Sequence, residues 1–240
     1  MKLNRSVVLA AALVICAGLI IGGTIAFFTD SASNVNTFVV AQGVSIRLDE
    51  AQVEKVGDEY VPVTPENRVE QNTYAGIYPG AVMPKDPTIT LENTSEDAYV
   101  RAFVTVENGN QWIHVYGGAT LEEGFMLLTC NTLGEGWTLV SAEAVENSLV
   151  YTLLYNDRLT AGQSTAPIFT QVTFTDKVDA ETLPLFNGQF VITVEGEAIQ
   201  AAGFESAQAA FATADGVSSN IGVDDPDVDS TDPSVEDGNG

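Results

Sequence analysis

Histidine, thiol and positive charge are all scarce in this chain of 240 residues. One histidine, two cysteines and 9 basic residues stand against 33 acidic ones, for a net charge of −24. A nucleic-acid binder needs a basic face to meet phosphates, and that material is missing. Adhesion to bare anionic lipid is disfavoured for the same reason. Zinc hydrolases usually hold their metal with two or three imidazoles; here there is one, and HExxH is absent. His114, in "QWIHVYGG" beside Trp112 and Tyr116, reads as an ordinary strand or loop side chain. No GxSxG motif and no phosphate-cradling glycine loop is present. With so many acids, paired carboxylates carry no information. Cys16 lies in an apolar leader, which leaves Cys130 as the sole thiol of a processed form. Cys130 is expected to be a small buried hydrophobe, with an intermolecular bridge as the alternative. Nothing local supports a Cys130–His114 pair. The expectation is a non-enzymatic chain with no catalytic residues, no metal and no cofactor.

What is there begins with the leader. Lys2 and Arg5 precede 15 uninterrupted apolar or small residues, Val7 to Ile21. A basic start followed by an apolar run of this length is a secretory signal. Small residues at Thr24 and Ala26 have the spacing that signal peptidase reads, so cleavage is expected after Ala26, with Phe27 as the first mature residue. The bond before Phe28 is the alternative, and a retained anchor running on to Phe28 is another. Ile15, directly before Cys16, is not the small residue a lipobox needs. The membrane is thus met only through the leader, before cleavage.

After Phe38 the dominant pattern is alternation. In "AYVRAFVTVEN", Val100, Ala102, Val104 and Val106 fall on one face, opposite Tyr99, Arg101, Phe103 and Thr105. In "SLVYTLLYND" the face is Leu149, Tyr151, Leu153 and Tyr155; in "PIFTQVTFTDKV" it is Ile168, Thr170, Val172 and Phe174; in "GQFVITVEGEAIQ" it is Phe190, Ile192 and Val194. Period two with β-branched and aromatic residues is strand chemistry. "TFVVAQ", "VSIRLDE", "PTITLEN" and "GWTLVSAE" are shorter strand candidates. Turn clusters such as "YPGAVMP", "ENTSED", "VENGN", "LTAGQS" and "LFNG" separate them. Short strands, short connections and no βαβ rhythm argue for an all-β antiparallel sandwich. "SAQAAFATAD" reads as a short helix, and Leu121 to Leu128 fits either class.

The last 17 residues hold seven acids, no base and almost nothing apolar, and are expected to be disordered. Asp225, Asp227, Asp229 and Glu236 match four positions of an EF-hand loop, but Ser230 stands where Gly is needed and prolines interrupt the loop. The expected organisation is a signal peptide at 1–26, an N-terminal segment at 27–43, a sandwich domain at 44–221 and an acidic tail at 222–240.

Four stretches, in order, carry a resemblance. The first is "GGTIAFFTD" with "NTFVVAQGVSIRL"; Gly23, Thr24, Ala26, Phe28, Asp30, Asn36, Thr37 and Phe38 fit its pattern. The second is "IYPGAVMPKDPTITLENTSEDAYVRAFVTVE", the third "YNDRLTAGQSTAPIFTQV" and the fourth "FVITVEGEAIQAAGF". Together they resemble the TasA/camelysin family of exported bacterial proteins over roughly residues 1 to 205. That resemblance implies a jelly-roll-like antiparallel β-sandwich with short helical insertions, a Gram-positive source, and a leader cut by a SipW-type signal peptidase. It also implies assembly with other copies of the same chain into extracellular biofilm matrix fibres. The segment freed by cleavage would then add as a strand to the next subunit, with Phe27, Phe28, Asp30, Asn36 and Phe38 as the assembly residues. Strand addition draws affinity from backbone pairing and specificity from side-chain pockets. A camelysin-like metalloendopeptidase and a monomeric surface binding module are the alternative functions.

Overall fold

A computed structural model describes residues 29–32 by their backbone, and residues 43–64, 66–186 and 188–216 in full. The described residues are mostly β, and the paired strands are antiparallel. The larger sheet has the order β1 (Thr29–Ala32), β12 (Ile192–Gln200), β8 (Ala98–Glu107), β10 (Ser148–Tyr155), β9 (Trp137–Val145). Its central strand β8 bears out the predicted alternation: Val100, Ala102, Val104 and Val106 are all buried, and Arg101, Phe103 and Thr105 are partly exposed. Leu149, Tyr151 and Leu153 of β10 point the same way, into the core.

The second layer is built around β2 (Ile46–Ala51), which pairs with β5 (Arg68–Val69) on one side and β7 (Thr88–Leu91) on the other. β6 (Val82–Pro84) pairs with β11 (Gln171–Thr173). Bonds from Phe174 N to Ala81 O, Lys85 N to Thr170 O and Leu91 N to Gln163 O extend that contact along residues 80–91 and 162–174. A β3–β4 hairpin (Val53–Val56, Glu59–Pro62) projects from this layer. The two layers meet at Gly196. A Cβ there would lie 3.0 Å from Ile89 Cδ1 and 3.4 Å from Ile46 Cδ1, so glycine lets β2 and β7 approach β12 closely.

Three α-helices lie among the described residues: α1 (Gly109–Val115), α2 (Leu121–Leu128) and α3 (Ala207–Ala214), the last packed on the outer face of β8 and β10. α2 resolves the ambiguous stretch. Thr120 Oγ1 accepts from Glu123 N while the Glu123 carboxylate accepts from Thr120 N, a capping box that fixes the helix start. α2 ends with Cys130 and Asn131 both left-handed, at φ 53° and 56°, and Asn131 N closes back on Met126 O. Cys130 is therefore a helix-ending residue and only half-buried, where a core position was expected. Burial still raises its thiol pKa. α3 matches the expected "SAQAAFATAD" helix, and Ser206 caps it.

Other expectations need correction. "QWIHVYGG" is helical through Val115, because Trp112 and Tyr116, four residues apart, stack at 5.4 Å on one helix face. "VENGN" keeps a turn only at Asn108, at φ 61°, before the helix starts at Gly109. "PIFTQVTFTDKV" forms a strand only at Gln171–Thr173. Ile168 and Phe169 are both fully buried although adjacent, which a strand with one face to solvent cannot achieve. The Ile168 carbonyl accepts from Gly134 N and Thr170 N donates to Thr132 Oγ1, so a neighbouring loop breaks the alternation. A 3-10 helix, Leu183–Phe186, runs into "LFNG", and the expected turn follows it, with Gln189 N donating to Phe186 O. "TFVVAQ", the leader and the acidic tail lie outside the described residues.

Candidate functional site

β12 has β8 along its whole inner edge, and among the described residues its outer edge is only half covered. β1 pairs there from Thr29 opposite Ile199 to Ala32 opposite Gly196. β1 also lies against β2, so it stands where the two layers meet. Among the described residues the ladder runs no further than Gly196. Among the described residues, none pairs with the outer edge of Ile192 to Glu195. An unpaired edge offers its N–H and C=O groups to another strand.

That open half-edge forms one wall of a cleft of 830 Å³, lined along 188–194. The volume is near the top of the range of about 300–1,000 Å³ usual for ligand pockets. The facing wall is residues 70–77, and the floor includes Leu48, Met83 and Val172. Phe190 closes one end and joins an aromatic cluster. Its ring lies 5.1 Å from Trp112 and 5.4 Å from Phe174, and Phe186 packs 4.9 Å from Trp112.

The 70–77 wall is held in place by adjacent acids of β2. Glu50, buried, accepts from Asn72 N at 3.0 Å, from Asn72 Nδ2 at 3.1 Å and from Lys85 Nζ at 2.6 Å. Asp49, also buried, takes bonds from Arg68 Nε and from Arg47 Nε. Arg68 reaches on to Asp86 at 3.0 Å and to the carbonyls of Asp49 and Asp86. Burial works against the Arg68 charge, but the bonds to Asp49 and Asp86 outweigh it and leave its pKa raised. Tyr74 donates to Pro84 O at 2.6 Å; burial, then the charges of Glu50 and Asp86, push its phenol pKa up. Removing one partner from such a set strands a buried charge, which makes loosening the wall costly. It supports the cleft.

Of the residues predicted from sequence, only Asp30 falls among the described ones. Its backbone pairs with Ala198 in β1–β12. Ala26, Phe27, Phe28, Asn36 and Phe38 lie outside them. His114 is exposed on α1. Among the described residues, no group of three or more His, Cys, Asp and Glu side chains could hold a metal ion, and no helix is long and apolar enough to cross a membrane. Sequence reasoning missed Glu50, Lys85 and Asn72, because acids near the end of "VSIRLDE" look solvent-facing until the pairing with 68–86 is known.

No family model, no curated protein and no solved structure matches this chain.

Proposed function

We propose that this chain is a secreted structural subunit that polymerises outside the cell into biofilm matrix fibres. The N-terminal segment of one copy adds as a strand to the outer edge of β12 in the next. This reading takes the jelly-roll-type sandwich, the SipW-type cleavage after Ala26 and the extracellular location from the resemblance to the TasA/camelysin family. The one observation that supports it most is the state of the β12 edge: it pairs with residues 29–32 in antiparallel register, and beyond them none of the described residues pairs with it where it borders the cleft. Backbone pairing along that edge supplies affinity that is indifferent to side chains, and the cleft supplies selection. Addition of this kind is head-to-tail and does not close, so it makes a filament.

Sedimentation of the chain beginning at Phe27, across concentrations, tests the reading. Large assemblies are expected to grow with concentration, and a version lacking residues 27–38 is expected to stay monomeric. A chain from Phe27 that remains monomeric at every concentration would overturn it.

A further inference from the structure

We propose that Lys85 and Asn72 join spontaneously into an intramolecular amide, with Glu50 as the catalytic residue that carries protons between them. The reaction is a single turnover of the folded chain on itself, and it is independent of the assembly reading above.

The three side chains come from separate parts of the fold. Glu50 belongs to β2, Asn72 to the outer cleft wall, and Lys85 follows β6. Glu50 touches both nitrogens of the reaction. Its Oε2 accepts from Lys85 Nζ at 2.6 Å, and its Oε1 accepts from Asn72 Nδ2 at 3.1 Å. One carboxylate therefore bridges the amine that attacks and the nitrogen that leaves. The amide itself is fixed on every side. Asn72 Nδ2 also donates to Ala51 O at 2.8 Å, Asn72 N donates to Glu50 Oε1 at 3.0 Å, and Asn72 Oδ1 accepts from Val53 N at 3.0 Å. The Val53 N–H lies where negative charge gathers on the oxygen during attack. Lys85, on its flexible four-carbon stem, is the member free to turn onto Asn72 Cγ while its two partners stay held.

The site is dry enough for the first step. The Glu50 side chain is 4% exposed and that of Lys85 14%. An ammonium and a carboxylate kept from water are stabilised by passing one proton along the bond that joins them, which leaves a neutral amine and a carboxylic acid. The amine lone pair then forms a bond to Asn72 Cγ, and the carbonyl electron pair moves onto Oδ1 beside Val53 N. Glu50 gives its proton to Nδ2 and takes one from the new Nζ–Cγ nitrogen. The Oδ1 electrons return, the Cγ–Nδ2 bond breaks, and the nitrogen departs as ammonium with the proton that Lys85 brought. Glu50 ends as it began, and no oxidant, reductant or second substrate takes part. All three residues line the cleft, which gives the ammonium a way out.

The product closes residues 72–85 into a covalent ring and fastens the outer cleft wall to the segment after β6. A processed chain with Cys130 as its sole thiol has no internal disulfide to do this.

Mass spectrometry of the purified full chain is the test. Chymotrypsin cuts after Tyr74, between the two residues, so the link is read as a branched species that joins the peptide of Asn72 to that of Lys85 and is lighter than their sum by one ammonia. Most folded molecules are expected to carry it. Lys85→Arg should give none, and Glu50→Gln should form it roughly a hundredfold or more slowly. Circular dichroism checks that the variants fold; Glu50→Asp, also expected to slow the link, replaces the glutamine variant if that one does not. No branched species from the folded natural chain would overturn the proposal. So would an ammonia loss that persists in Lys85→Arg, which marks cyclisation of Asn72 alone, or an undiminished rate in the folded Glu50 variant.

Discussion

Lys85 Nζ sits 2.6 Å from Glu50 Oε2, with both side chains largely removed from solvent beside the cleft. Glu50 also binds both nitrogens of Asn72, so one carboxylate fastens β2, the strand carrying Lys85 and the outer cleft wall together. Glu50→Gln leaves the Lys85 charge without its partner. The expected loss is about 3 kcal/mol, the low end for a broken buried pair because Lys85 keeps some solvent contact. In a chain of this size that lowers the melting temperature by roughly 6–12 °C. The double variant Glu50→Gln/Lys85→Met should recover part of the loss, as thermal unfolding of both would show.

Arg101 makes the matching connection on the opposite face of the larger sheet. It donates to Glu197 at 2.6 Å and grips both oxygens of Asp215 at 2.6 and 2.9 Å, with its guanidinium over the rings of Phe103 and Phe211. This ties the end of α3 to β8 and β12. Hydrogen bonding from Arg101 holds the Asp215 carboxyl below the ordinary aspartate value. A carboxyl with a lowered folded-state pKa stabilises fully above its unfolded value, about 3.9, and the contribution fades as pH falls through the lowered value. Asp215 is half exposed, so the contribution is discounted to about 0.5 kcal/mol. Asp215→Asn should cost that much at pH 7 and nothing measurable in strong acid. Chemical unfolding of both forms at the two pH values checks this.

Gly134 permits the loop contact that breaks the strand at Ile168. A Cβ there would sit 1.9 Å from the Pro167 carbonyl oxygen, which is backbone and cannot swing away. Gly134→Ala should destabilise by about 3 kcal/mol or more, at the severe end for overpacking. Gly57→Ala, at φ 67° with open space around the added carbon, meets only backbone strain and should cost about 1 kcal/mol. Their urea midpoints should therefore separate clearly.

The parts of the fold visible in the sequence were those where one face is buried and the other is not. β8 and β10 alternate because each has the core on one side, and their inward residues were readable one by one. Residues 167–178 depart from the pattern for the opposite reason: Ile168 and Phe169 are both buried in the one core, so period two fails. α1 is not legible in the sequence, because aromatic residues at 112 and 116 suit a strand as well as a helix; their stacking decides. The cleft had no local signature. It arises where residues 70–77, 83–87 and 188–194 converge, and their distance along the chain hides the meeting. The proposed assembly strand rests on the leader junction and the family resemblance, and the proposal of β12 as its acceptor rests on the pairing of residues 29–32.

Phe190 is the cleft residue that joins the open β12 edge to the aromatic cluster around Trp112. Phe190→Ala removes that end wall while leaving the β12 backbone in place. If the cleft selects the incoming strand, this variant should keep its fold but polymerise at least tenfold more slowly. Far-ultraviolet circular dichroism and light scattering, run side by side, separate the two effects.

Electron microscopy of the purified chain, begun at Phe27, tests the central claim most directly. The account predicts unbranched filaments from that chain and none from the same chain lacking residues 27–38. Filaments of unchanged form from the shortened chain, or only dispersed particles from the chain begun at Phe27, would contradict it.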